Sequence, residues 1–142
     1  MTTFKVGYLI GSLAKGSINR KLATALTLVA PEHLTFTEIP IKDLPLYSYD
    51  YDADFPPAGR ALKEAIAGVD AVLFVTPEYN RSIPGALKNA IDWASRPWGE
   101  NAFDHIKRGY YSIKSFNPNG IVPLGPALGF ERFLADAERK AA

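Results

Sequence analysis

The sequence contains no cysteine, which removes a disulfide framework, a thiolate nucleophile and any zinc or iron–sulfur site built on sulfur. Histidine is nearly absent as well: His33 and His105 are too few and too scattered to form a metal cluster, and no metal is expected. An excess of one charge is also missing. The 16 basic and 15 acidic residues are interspersed and leave a net charge of +1, with no electrostatic footprint for nucleic acid or an anionic membrane. No apolar run approaches the ~20 residues that span a bilayer, and the chain enters its first strand without an apolar signal segment. Cytoplasmic work on small molecules is the expectation. What is present is 47% hydrophobic and 22% charged residues in a 142-residue chain, enough for one core and one domain spanning 1–142.

Phe4 to Ile10 is an almost unbroken apolar run, the pattern of a parallel strand buried on both faces. Ile18, Leu22, Ala25, Leu26 and Val29 then recur at steps of three and four, predicting the buried face of a helix that stops near Pro31. His33 to Ile39 alternates, as in a half-exposed edge strand. The segment through Leu46-Tyr47-Ser48-Tyr49-Asp50-Tyr51-Asp52 has no periodicity and reads as a loop. Its tyrosines either line a flat ligand or pack the loop onto the body. Pro56-Pro57 opens a second helix with Ala58, Leu62, Ala65 and Ile66 inward, and Gly68 closes it. Ala71 to Val75 predicts a central third strand, and Leu87, Ala90, Ile91 and Ala94 predict the inner face of a third helix.

Between the first strand and the first helix lies Gly11-Ser12-Leu13-Ala14-Lys15-Gly16-Ser17-Ile18-Asn19-Arg20. Unpaired backbone N–H groups and the positive end of the helix dipole converge there, and Ser12, Ser17 and Asn19 add side-chain donors. This makes an anion site. Gly11 and Gly16 match the first half of a P-loop, but Ser17 and Ile18 stand where Lys and Ser or Thr are required. The fingerprint G-x-G-x-x-G is absent too. A hydroxyl-rich cradle for one terminal phosphate remains, beside the plainer alternative of a Gly/Ser turn in which Ser17 only caps a helix.

Right-handed crossovers give the sheet order 2-1-3, so the carboxyl ends of strands 1 and 3 flank one crevice, where open α/β sheets bind ligands. Pro77-Glu78-Tyr79-Asn80-Arg81-Ser82-Ile83-Pro84-Gly85 falls there. It is either an ordinary connection, with Ser82 a local cap, or the second half of a binding site.

Gly11-Ser12-x-x-x-Gly16-Ser17-x-Asn19-Arg20-x-Leu22-Ala23, together with Pro77-Glu78-Tyr79-Asn80-x-Ser82-x-Pro84-Gly85-x-Leu87-Lys88-Asn89-Ala90-Ile91-Asp92-Trp93, resembles the NADPH-dependent FMN reductase family. These are flavodoxin-like quinone, chromate and azo reductases. The resemblance covers about the first hundred residues, including Asp43-Leu44-Pro45-Leu46-Tyr47. It implies a flavodoxin-like three-layer α/β/α sandwich. It also implies FMN as cofactor, NAD(P)H as co-substrate, a small-molecule electron acceptor and a homodimer or homotetramer. Ser12, Leu13, Ala14, Lys15, Gly16, Ser17, Ile18 and Asn19 would wrap the FMN phosphate. Pro77, Glu78, Tyr79 and Asn80 would run along the isoalloxazine ring, with Ser82 near the same site. The chemistry would belong to the flavin, so no catalytic side chain is assigned, Glu78 included.

Ala14 stands where many relatives carry arginine, a loss that would weaken contact with a phosphate or a neighbouring subunit. Residues 105–142 depart further. Relatives continue with a fourth strand, a Ser/Gly-rich loop that closes over the flavin, a helix, a fifth strand and a last helix. Here the fourth and fifth strands are expected to be altered or missing, as in a truncated or rearranged part. Tyr110 to Phe116 offers a weak strand, Ile121-Val122 a fragment of another, and Phe130, Phe133, Leu134, Ala137 and Ala141 one face of a terminal helix. Strand 3 would then keep an open edge, with an obligate oligomer to bury it and weak FMN retention as the consequence. Three functions remain open: an FMN-dependent NAD(P)H oxidoreductase acting on quinones, chromate or azo compounds; an FMN-binding electron-transfer module; or a damaged relative without activity.

Overall fold

The computed structural model describes residues 2–106 and the strand 111–114. In chain order the elements are β1 (Phe4–Ile10), α1 (Ile18–Leu28), β2 (Leu34–Glu38), α2 (Pro57–Ala67), β3 (Ala71–Thr76), α3 (Gly85–Ala94) and β4 (Tyr111–Lys114). A short 3-10 helix, Tyr49–Ala53, interrupts the segment expected to be a plain loop.

The sheet runs β2-β1-β3-β4 with every pairing parallel, so the expected order 2-1-3 is observed. Alternation of side chains across the strands builds two cores. Val6 and Ile10 of β1 with Leu73 and Val75 of β3 pack toward Ala23 of α1. Leu9, Val72 and Phe74 point the other way, into a larger cluster with Leu62 and Ile66 of α2 and Leu87, Ala90 and Trp93 of α3. Helices on both faces of a parallel sheet make the three-layer sandwich.

The far edge of β3 is not open. Leu73, Phe74, Val75 and Thr76 pair with Tyr111, Ser112, Ile113 and Lys114. The weak strand expected within Tyr110 to Phe116 is present as β4, which corrects the expectation of an open edge that a second copy must cover. Four residues with a terminal lysine are too short a run to stand out by periodicity, but the ladder needs only their backbone groups. Ile121-Val122, the terminal helix, the fifth strand and the flavin-closing loop expected from the sequence lie outside the described residues.

The period of α1 is as expected, but its phase is not. Asn19 and Ala23 are its buried residues, Leu22 and Leu26 are half-buried, and Ile18, Ala25 and Val29 lie exposed. The inner face is displaced by about one residue, roughly 100° of helix. Ser17 caps the helix by accepting from the Arg20 N–H at 3.4 Å, and the Arg20 guanidinium binds both Glu38 oxygens at 2.7 and 2.9 Å. These contacts tie the start of α1 to the end of β2 and turn Asn19 inward.

Candidate functional site: two loops at the carboxyl ends of β1 and β3

The Gly11 N–H donates to the Val75 carbonyl at 2.9 Å, which extends the β1–β3 ladder to the very start of the first loop. A Cβ on Gly11 would stand 2.2 Å from Thr76 Oγ1 and 2.7 Å from Thr76 Cβ. Only glycine allows this approach, and it brings the loops after β1 and β3 side by side. Thr76, fully buried, is a site-forming residue that apolar patterning missed; its hydroxyl donates to the Pro77 carbonyl at 3.0 Å.

In the first loop Ser12, Ser17 and Asn19 are buried, with only 8%, 5% and 4% of their surface exposed. Leu13, Ala14, Lys15, Gly16 and Ile18 form the exposed outer part of the same turn. Ser12 Oγ accepts from the Ala14 N–H and Ser17 Oγ from the Arg20 N–H, both at 3.4 Å, so each hydroxyl hydrogen is left to donate elsewhere. The N–H groups of Ile18 and Asn19 have no acceptor among the described residues, as expected at a helix start. Asn19 Oδ1 is buried without a partner. Beside Gly16, its chain neighbours aside, nothing among the described residues lies within 4 Å of where a Cβ would be. The two serine hydroxyls and the unpaired N–H groups at this helix N-terminus fit an anionic group such as the FMN phosphate; Asn19 Oδ1 is an acceptor and adds nothing to that fit.

The second loop is the opposite in exposure. Pro77 and Glu78 are half-buried, and Tyr79, Asn80, Arg81 and Ser82 are exposed. Tyr79 and Ser82 exchange both backbone hydrogen bonds at 2.9 Å, closing a tight turn with Asn80 at φ 50° and Arg81 at φ 62°. Ser82 therefore pairs across the turn and does not cap α3. Pro84 occupies the cap position, without a side-chain cap bond.

The remaining motif residues act on the scaffold. Trp93 Nε1 and Asn89 Nδ2 donate to the Pro45 carbonyl at 2.7 and 2.9 Å, and Asn89 Oδ1 accepts from the Tyr47 N–H at 2.9 Å. Tyr47 and Tyr51 pack on Trp93 with ring centroids 5.2 and 5.3 Å away, so these two tyrosines bind the loop to the body. Tyr49 stays exposed. Among the described residues no group of three or more His, Asp or Glu side chains is placed to hold a metal ion, and no helix is long and apolar enough to cross a membrane.

A parallel sheet with helices on both faces and two polar loops at its switch point defines a flavodoxin-like α/β protein. Residues 4–111 match the family model described as NADPH-dependent FMN reductase, and the chain belongs to that family. It is 54% identical over 99 residues to 2-hydroxy-1,4-benzoquinone reductase of Burkholderia sp, covering 70% of this chain and 54% of that protein. It is 52% identical over 124 residues to a quinone reductase of Pseudomonas putida, covering 87% of this chain and 61% of that one. Among solved structures it resembles FerB, a flavoenzyme NAD(P)H:(acceptor) oxidoreductase from Paracoccus denitrificans. The TM-score is 0.77 at 42% identity, over 94% of this chain and 70% of that one. The chain thus spans 54% and 61% of the two curated relatives' lengths.

Proposed function

We propose that this chain is an FMN-dependent NAD(P)H oxidoreductase that reduces quinones or related acceptors, chromate and azo compounds included. The observation that carries the reading is the pair of buried serine hydroxyls free to donate, Ser12 and Ser17, beside the N–H groups of Ile18 and Asn19 that have no acceptor among the described residues at the start of α1. The similarity to enzymes named for quinone reduction supports the acceptor class.

The chemistry FMN supplies when bound is to take a hydride from NAD(P)H and deliver electrons to the acceptor. Ser12, Ser17 and Asn19 hold the phosphate, with the free N–H groups of the first helical turn and the exposed outer part, Leu13, Ala14, Lys15, Gly16 and Ile18, around it. Pro77, Glu78, Tyr79, Asn80 and Ser82 present the second loop to the ring. No side-chain acid or base is assigned. We place the protein in the cytoplasm. We also infer a homodimer or homotetramer. Leu13, Ile18, Leu28 and Val29, exposed at 50%, 56%, 81% and 75%, support association through α1.

The test is the absorption spectrum of the purified chain after FMN addition and dialysis, followed by NAD(P)H turnover with a benzoquinone. Retained flavin with FMN favoured over FAD and ATP, and quinone-dependent oxidation of NAD(P)H, are the expected results. Equal or tighter binding of FAD or ATP sinks the cofactor assignment, and retained FMN without turnover sinks the enzymatic one.

A further inference from the structure

The turn Tyr79-Asn80-Arg81-Ser82 is built against the conformational preference of one of its residues. Two consecutive positive φ angles with reciprocal hydrogen bonds are the signature of a type I′ turn, whose second central position favours glycine. Asparagine tolerates the left-handed region because its short amide bonds locally. Arginine does not share that tolerance, and Arg81 sits there at φ 62°. Its side chain offers the scaffold no compensation, since it has no hydrogen bond or ion pair among the described residues and is exposed.

An unpaired guanidinium held on a rigid, strained turn beside the crevice asks for a reason outside the scaffold. The second loop leaves β3 next to the loop assigned above to the flavin phosphate, so Arg81 lies at the rim of that site. Among the proposed acceptors, a quinone, unlike chromate, carries no charge for a guanidinium to recognise. The reductant does, because a nicotinamide dinucleotide bears phosphates, and a planar fork of N–H donors suits phosphate oxygens.

The geometry points to Arg81 as a binding residue for the phosphates of the nicotinamide dinucleotide, kept in a strained backbone position because glycine there would leave the rim without its cation. This rests on the function proposed above and adds the residue by which the reductant is told from a quinone acceptor.

The experiment compares the FMN-loaded wild type with Arg81→Gly and Arg81→Lys. Dissociation constants for NADP+ and NAD+, which do not react, are measured by titration, with thermal melting and the KM for a benzoquinone alongside. Arg81→Gly is expected to melt at least as high as the wild type, to bind NADP+ roughly tenfold more weakly and to keep its quinone KM. Arg81→Lys stays within about threefold of wild type for NADP+. A loss shared by NAD+ assigns the contact to the pyrophosphate, and a loss confined to NADP+ assigns it to the 2′-phosphate; both support the proposal. Wild-type NADP+ affinity in Arg81→Gly, or a quinone KM that rises in step, overturns it. A wild-type chain that takes up no FMN overturns the proposed function and this inference together, whereas normal flavin with unchanged NADP+ binding overturns this inference alone.

Discussion

The start of α1 and the outward side of α3 both bring polar side chains out of water, but only one of them settles its hydrogen bonds within the protein. Along α3, Trp93 Nε1, Asn89 Nδ2 and Asn89 Oδ1 each have a backbone partner between 2.7 and 2.9 Å on the segment Pro45–Tyr47. At α1, the buried Ser12 and Ser17 hydroxyls accept without being committed as donors, and the N–H groups of Ile18 and Asn19 have no acceptor among the described residues. A buried polar group left unpaired costs about 1–3 kcal/mol. A scaffold contact has no reason to carry that cost, but a ligand site that is completed on binding does. Among the described residues the buried side-chain atoms without partners are Asn19 Oδ1, an acceptor that a phosphate cannot meet, His33 Nε2 and Asp52 Oδ2. His33 precedes the amino end of β2, away from the crevice, and Asp52 already accepts from the Tyr47 hydroxyl through its other oxygen. Neither joins a set of converging donors.

If the contrast is right, damage to the α3 side is read in stability. Trp93 is fully buried and meets Tyr47, Tyr51 and Phe55 with ring centroids 5.1 to 5.3 Å away. Gly59 on α2 makes room for it, since a Cβ there would lie 2.8 Å from Trp93 Cε3. Trp93→Ala is expected to cost about 3–5 kcal/mol, from the lost packing and the loss of one of the two hydrogen bonds to the Pro45 carbonyl. Urea unfolding followed by circular dichroism measures it. A loss below about 1 kcal/mol would mean that the clamp does not hold the 45–55 segment.

Damage to the α1 side is read in binding. Ser17→Ala and Asn19→Ala each remove a donor to a charged group, a contribution on the order of 1.5–3 kcal/mol, so FMN affinity falls roughly 10- to 100-fold. The apo-proteins lose less: about 1 kcal/mol for the cap at Ser17, and little at Asn19, whose amide oxygen has no partner to lose. Flavin titration and apo-protein melts separate the two effects. Melts that drop while FMN affinity holds would make both residues scaffold and erase the distinction from α3.

The contrast was only partly legible in the sequence, for physical reasons. β1 and β3 announced themselves because both faces of a central parallel strand are apolar, and the switch point followed from their order. The serines and Asn19 were visible as donors at a helix start. Their burial was not, because Ile18, Leu22, Ala25 and Val29 form the stronger apolar stripe and drew the inner face to the wrong side of α1. Hydrophobic periodicity cannot anticipate a polar residue turned inward. β4 was legible only as a weak strand within Tyr110 to Phe116, because four residues carry little pattern. Trp93 was seen as part of a motif but not as core, since its partners come from a segment with no periodicity. Arg81 gave no sign of its left-handed backbone beyond the asparagine before it.

The smallest expected effect tests the α3 side at one atom. The Tyr47 hydroxyl donates to Asp52 Oδ1 at 2.7 Å, and burial first, then this hydrogen bond to Asp52, raises its pKa above the ordinary 10.0. A tyrosine that is harder to ionise when folded contributes stability below its unfolded pKa and loses it as the pH rises through the folded value. The wild type should therefore weaken more steeply than Tyr47→Phe from about pH 10 upward. Lys63, whose pKa burial lowers below 10.5, acts in the opposite sense but is present in both proteins and cancels in the comparison. Urea midpoints at intervals from about pH 9 to about pH 11.5 follow the difference, and parallel curves would refute the assignment. At neutral pH Tyr47→Phe should leave FMN affinity unchanged, because Tyr47 is satisfied within the scaffold. A weakened flavin complex in that variant would carry the binding site across to the α3 side and break the contrast between the two regions.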